Sequence, residues 1–309
     1  MTFHAKLATA GLILAAVLAG CSPGVDGKTG TEPAAAPTEA AVADIHNFRI
    51  GTLEAVALKD GELDVRNDNQ TFGLGHTPED VATVLTGAAL PADPIHLFID
   101  PLLIRDGDHM VLIDTGAGGA MGTEGRLVQS LGSAGVQPGQ VTDILISHGH
   151  GDHVGGLVDA AGGLRFPNAT IRISAAEWTA LQGDAAMAGL VRAITPKVTT
   201  FAPGEVVAPN ITAVDIPGHT PGHSGFEIAS GDDRLLYIGD AMHHSVISVQ
   251  RPEWPIAFDG DSRIAVASRQ ALLQRAASQN LRLYAVHFPF PGVGRIRREG
   301  DGFVWVPEA

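Results

Sequence analysis

Residues 147–156 read Ser-His-Gly-His-Gly-Asp-His-Val-Gly-Gly, and the stretch SHGHGDHVGG follows directly on the apolar run VTDILI. A short apolar run of this kind predicts a buried strand, so the motif leaves the C-terminal edge of a strand in a glycine-rich turn that feeds a helix. Such a loop turns alternate side chains to one side. His148 and His150 can then bind one cation while Asp152 and His153 reach a neighbouring one. Imidazole nitrogens and carboxylate oxygens are ligands suited to zinc-like divalent ions.

Two such ions need more donors than these four. The sequence offers them at comparable strand ends: His219 in DIPGHTPGHSG, Asp240 in LLYIGDAMHH and His287 in YAVHFPFPG. Each follows an apolar run, which is where an α/β sheet collects its functional groups. Around them the pattern alternates strands with helices. Strands are expected at 48–58, 96–104, through MVLIDTGAGG, and at 170–174, 211–216, 225–230, 234–239, 282–286, 295–298 and 303–306. Helices are expected at 123–134, 175–182 and 261–278, and at HTPEDVATVL, where Thr77 is the N-cap, Pro78 the first helical residue and Asp80 the partner in a capping-box-like pattern. Helices on both faces of sheet material imply a layered α/β domain.

The order His148-x-His150-x-Asp152-His153, then His219, Asp240 and His287, resembles the HxHxDH signature of the metallo-β-lactamase fold superfamily, from about residue 48 to the C-terminus. Within it the chain looks most like the methyl parathion hydrolase group and its lactonase relatives, on VLIDTGAGG, HVGGL, FPNA, GHTPGH and FPGVGRIRREGDGFVWVP. The resemblance implies a four-layer αββα sandwich over residues 45–309 and two divalent metal ions, zinc by expectation. By that similarity His148, His150 and His219 would hold one metal, Asp152, His153 and His287 the other, and Asp240 would bridge them.

Two further side chains read either way. Asp114, in IDTG, is a partner that orients a ligand histidine or a turn cap; His223 gives similar support or makes a loop hydrogen bond. His4, His46, His76, His96 and His109 read as ordinary members of a set of thirteen histidines.

The chemistry implied is a hydroxide shared by two cations attacking an ester, lactone or phosphotriester of a small molecule, with no serine or cysteine nucleophile. Asp152 would guide the proton to the leaving group. His243, three residues after the bridge, stands where lactonase relatives commonly carry a tyrosine, and would donate to the substrate; His244 competes for that role. A glyoxalase-II-like thioesterase shares the ligand set, a β-lactamase-type amide hydrolase is a further alternative, and a non-catalytic ligand-binding lipoprotein is the reading from another class. His150 in place of Glu argues against the diiron branch.

Composition sets the remaining limits. The 309 residues carry a formal charge of −14, which argues against a nucleic-acid partner because no basic stripe exists to meet phosphates. The single cysteine, Cys21, ends LAGC after an apolar stretch from Leu7 to Gly20 that is too short to span a membrane. That ending resembles a bacterial lipobox: residues 1–21 read as a lipoprotein signal peptide with Cys21 lipidated, and 22–44 as a Pro/Ala-rich tether. Export to the outer membrane, with membrane contact through the lipid anchor alone, follows from that resemblance, and a homodimer is compatible with it. GKT at 27–29, GAGGAMG at 116–122 and GHSG around Ser224 lack the spacing or context of a P-loop, a dinucleotide fingerprint and a nucleophile elbow.

Overall fold

The computed structural model describes residues 44–123 and 125–308. The expected signal peptide, Cys21 and the tether to residue 43 lie outside the described residues.

In chain order the strands are β1 Ile45–Ile50, β2 Leu53–Leu58, β3 Gly61–Val65, β4 Ile95–Ile99, β5 Leu102–Asp106, β6 His109–Ile113, β7 Asp143–Ile146, β8 Thr170–Ser174 and β9 Val198–Phe201. They continue as β10 Val206–Ala208, β11 Ile211–Asp215, β12 Ser224–Ser230, β13 Asp233–Tyr237, β14 Arg282–Tyr284, β15 Val293–Glu299 and β16 Gly302–Pro307. The α-helices are α1 Pro78–Gly87, α2 Leu127–Ser133, α3 Gly151–Val154, α4 Ala175–Gly183, α5 Ala188–Ile194, α6 Ile247–Gln250 and α7 Ser262–Gln279.

Two seven-stranded sheets form, in the orders β1-β2-β5-β6-β7-β8-β9 and β10 through β16, with β3 and β4 as a separate hairpin. Between the sheets lies one core, to which Leu102, Ile104, Val111 and Ile113 contribute from the first and Phe226, Ile228, Leu235 and Tyr237 from the second. The outer face of the first sheet packs under α2, α4 and α5 through Leu127, Leu131, Leu181 and Ile194. The outer face of the second packs under α7 through Leu272, Leu273 and Ala276. The result is the expected αββα sandwich, in which each sheet hides one face in the shared core and the other beneath helices. A fourth cluster joins the β3–β4 hairpin to α1 and α6.

Three sequence expectations need correction. The strand expected at 48–58 is a hairpin, because Gly51 takes φ 55° and reverses the chain between β1 and β2. The strand expected at 96–104 breaks at Asp100-Pro101: β4 pairs with β3 in the hairpin while β5 enters the first sheet. The helix expected at 123–134 begins only at Leu127, after a loop whose residues pack on Asp60 and Glu62. The Thr77 cap stands as expected, its hydroxyl accepting from Asp80 N–H while the Asp80 carboxylate accepts from Thr77 N–H.

The parallel strands aim the chemistry. β6, β7 and β8 run parallel, as do β13 and β14, so Asp114, the 148–153 motif, Asp240 and His287 all leave strands at their C-terminal ends. Gly156 is required for this arrangement, since a Cβ there would meet the Thr115 carbonyl oxygen at 1.9 Å. Gly239, before Asp240, takes φ 49° and would drive a Cβ to 2.5 Å from His223 Nε2.

Candidate metal centre

Seven side chains from both sheets converge, in the two groups His148–His150–His219–Asp240 and Asp152–His153–His287. In the first, His148 Nε2 stands 3.0 Å from His150 Nδ1, and His219 Nε2 lies 3.2 Å from the former and 3.0 Å from the latter. In the second, the Nε2 atoms of His153 and His287 are each 3.6 Å from Asp152 Oδ2. Asp240 sits between the groups. Its Oδ2 is 3.2 Å from the Nε2 atoms of both His219 and His287, and its Oδ1 is 3.2 Å from His153 Nε2 and 3.1 Å from His287 Nε2.

The outer nitrogens fix what the inner ones present. His153 Nδ1 donates to Asp114 Oδ2 at 2.7 Å, His219 Nδ1 to Asp259 Oδ1 at 3.0 Å, and His287 Nδ1 to the Phe98 carbonyl at 2.6 Å. In the neutral tautomer so selected, each Nε2 turns a lone pair inward, towards other lone pairs and the Asp240 carboxylate. His153 Nε2 and Asp240 Oδ1 are buried without a hydrogen-bond partner among the described residues. Converging acceptors at 3 Å are repulsive unless a cation lies among them, so the donor set fits divalent metal ions. The local field favours positive charge at this point: burial opposes charge on His219, yet the carboxylates of Asp240 and Asp259 push its imidazole up to about 9, so a cation bound there would take the place of a proton. Asp152, although burial works the other way, is held well below the usual carboxylate range by His153 and His287.

Asp114 is a hub. Besides His153, it accepts from the Ser147 backbone N–H at 2.8 Å, the Ser147 hydroxyl at 2.6 Å and the Tyr237 hydroxyl at 2.7 Å. Of the two readings open for it, the structure places it as the partner orienting a candidate ligand. His223 donates from Nδ1 to the Ile216 carbonyl, and its Nε2 accepts the Asp240 backbone N–H at 2.9 Å, so it fixes the backbone of Asp240.

His243 is buried beside this centre, its ring parallel to that of His287 with centroids 5.6 Å apart. Burial pushes its imidazole down to about 4 against the pull of Asp240, whose Oδ2 lies 3.2 Å from Nε2 without the alignment of a hydrogen bond, and Nδ1 has no hydrogen-bond partner among the described residues. It lines a cavity of about 370 Å³ over the centre, whose apolar wall is Leu63, Leu97, Met121, Ala257 and Phe258. His244 faces elsewhere, its Nδ1 accepting the backbone N–H groups of Val246 and Ile247. His76 stacks on Trp254, and His96 and His109 pair with Asp64 and Asp143, all apart from the centre.

Sequence reading missed the supports on helices and loops. Glu177, buried in α4, accepts from Gly149 N–H at 2.8 Å, Thr220 hydroxyl at 2.7 Å and Gly222 N–H at 2.9 Å, tying the 148–153 loop to the His219 loop. Its only signal was Ser174-x-x-Glu177, which reads as a capping box; Ser174 does cap α4, but the carboxylate is used here instead. Asp259 was equally silent, and the Arg269 guanidinium holds it at 2.9 Å. Glu177→Ala should destabilise the chain by about 1–3 kcal/mol, because three buried donors lose their acceptor. Urea unfolding of the variant against Glu177→Gln, which keeps one carbonyl acceptor and should lose less, checks this.

Comparison with known proteins agrees with this geometry. Residues 97–287 match the Metallo-beta-lactamase superfamily. A probable metallo-hydrolase of Mycobacterium tuberculosis is 24% identical over 223 residues, 59% of this chain and 69% of that protein. Among solved structures, the dizinc quorum-quenching lactonase AidC, in complex with a product, is 30% identical with a TM-score of 0.81, covering 86% of this chain and 97% of its own. The hydrolase AbOPH is 28% identical with a TM-score of 0.79, covering 87% and 98%. With the sandwich, the paired donor groups and a family match over most of the folded region, the chain belongs to the metallo-beta-lactamase superfamily and is a metal-dependent hydrolase.

Proposed function

We propose that this chain is a binuclear hydrolase of small-molecule lactones and esters, with activated phosphotriesters as a further substrate class. The observation that carries this reading is the position of Asp240, whose carboxylate lies within 3.2 Å of His219 of one donor group and of His153 and His287 of the other, beneath a cavity with an apolar wall. Likeness to AidC supports the lactone class. Two divalent cations, zinc by donor type, would be held by His148, His150 and His219, by Asp152, His153 and His287, and by Asp240 between them. When bound, they supply water activated near neutral pH and polarise the scissile oxygen.

The protein's own groups do the rest. The apolar wall seats the acyl part of the substrate and excludes bulk water from the centre. Water adds to the carbonyl carbon, the ring C–O bond breaks, and the departing oxygen takes a proton, giving a hydroxy acid. Asp152, the least buried of the seven donors apart from His150, is positioned to carry that proton. The neutral His243 imidazole offers an N–H to the carbonyl or leaving oxygen.

The test is turnover by the purified metal-replete chain on N-acyl homoserine lactones, aryl esters, phosphotriesters, thioesters and β-lactams. Lactones and aryl esters are expected to react fastest. Thioester preference would move the assignment to the glyoxalase-II-like reading, and inertness towards all five would leave the non-catalytic binder.

We also propose attachment to a membrane through Cys21, on the LAGC ending. Cys21→Ser should move the protein from the membrane to the soluble fraction. A wild-type chain that incorporates no fatty-acid analogue at Cys21 refutes attachment by this route.

A further inference from the structure

A second cavity, of about 640 Å³, lies behind the β3–β4 hairpin and shares no lining residue with the one over the metal centre. The hairpin is the partition. Its cross-strand pair Glu62 and Phe98 lines the second cavity, and the adjacent pair Leu63 and Leu97 lines the first. Strand alternation turns neighbouring pairs to opposite faces, which is why one hairpin serves both. His243 and His244 divide in the same way, one to each cavity.

The second cavity is mainly apolar, with Leu85, Leu90, Val246 and Trp305 among its walls. Its size lies within the ~300–1,000 Å³ of small-molecule sites, which combine apolar walls with a few placed polar groups. The placed group here is His244, 6% exposed. Because its Nδ1 accepts two backbone N–H groups, the proton of the neutral ring sits on Nε2. That N–H makes no hydrogen bond with the described residues, and His244 is among the residues that line the cavity. The other charged wall groups are already matched, Glu62 by Lys59 and His96 by Asp64.

We propose that this cavity is a binding site for a neutral, mainly aliphatic small molecule with one carbonyl or hydroxyl oxygen, such as a medium-chain fatty amide, whose oxygen accepts from His244 Nε2–H. Neutrality follows from the wall. With Glu62 paired to Lys59 and His96 to Asp64, the described wall offers a buried carboxylate no uncommitted cation, whereas an amide or alcohol needs only a donor. The site is independent of the hydrolytic reading, since none of the seven donors lines it.

Calorimetric titration of the full chain with decanamide tests this. Saturable binding is expected, about tenfold tighter than decanoate. Ala88→Trp, which fills the cavity, and His244→Phe, which removes the donor, should each weaken it by about tenfold or more. Leu90→Trp repeats the first test should Ala88→Trp fail to fold. Hydrolysis of a short-chain lactone should be unchanged in Ala88→Trp. Absence of decanamide binding, or binding unaltered by the filling variants, overturns the proposal. So does competitive inhibition of lactone hydrolysis by decanamide that the filling variants abolish, because the cavity would then be an arm of the hydrolytic site.

Discussion

Asp240→Ala is expected to leave at most one metal ion per chain where the wild type holds two, and to lower kcat/KM by about 10³-fold or more. The expectation rests on position. Asp240 is 3% exposed, and its carboxylate lies within 3.2 Å of histidines of both donor groups. No neighbouring carboxylate can replace it, because Asp152 faces only the second group and Asp259 is committed to His219 and Arg269. Elemental analysis of the purified variant, alongside turnover on a lactone, reads both effects. A wild-type chain that binds one ion under metal-replete conditions, or a variant that keeps two, is incompatible with the shared bridge.

His243→Phe is expected to keep both ions and lower kcat on lactones and unactivated esters by about 10²-fold, with a smaller loss on phosphotriesters that carry good leaving groups. Phenylalanine preserves the ring that lies parallel to His287 and beside Phe258 but removes the imidazole N–H that His243 brings to the cavity. With the imidazole held neutral by burial, the role proposed for it is that of a hydrogen-bond donor rather than a standing cation. Steady-state kinetics on the two substrate classes separate the outcomes, and equal, small losses on both would place His243 outside the reaction.

The candidate ligands were legible because each follows an apolar run and all but His287 sit close to glycine, a pattern set by local chain geometry. The supports were not, for a physical reason. Glu177, Asp259 and Tyr237 act across 28 to 123 positions of sequence, through contacts that exist only once the two sheets have docked. Nothing in their own neighbourhoods distinguishes them from a helix-cap acid, a loop acid and a core aromatic. The fold class was readable from alternation of strands and helices, whereas the breaks at Gly51 and Asp100-Pro101 turned two expected strands into four. β3 was missed because GELDV carries two acids in five residues, and its pairing with β4, not its own composition, makes it a strand. His243 and His244, indistinguishable in sequence, are separated by the cap that α6 draws from one of them.

The candidate ligands come from both sheets: His148, His150, Asp152 and His153 follow β7 of the first, while His219, Asp240 and His287 follow strands of the second. Neither half of the chain holds a complete site, so cations bound there act as a non-covalent cross-link between the halves. By mass action, an ion present at about 100 times its Kd for the native state, and with no affinity for the unfolded chain, adds about 2.7 kcal/mol to stability. Metal supply would thereby also bear on the lifetime of the protein: a chain deprived of such ions is expected to lose part of what keeps the two sheets docked and to be cleaved faster by protease.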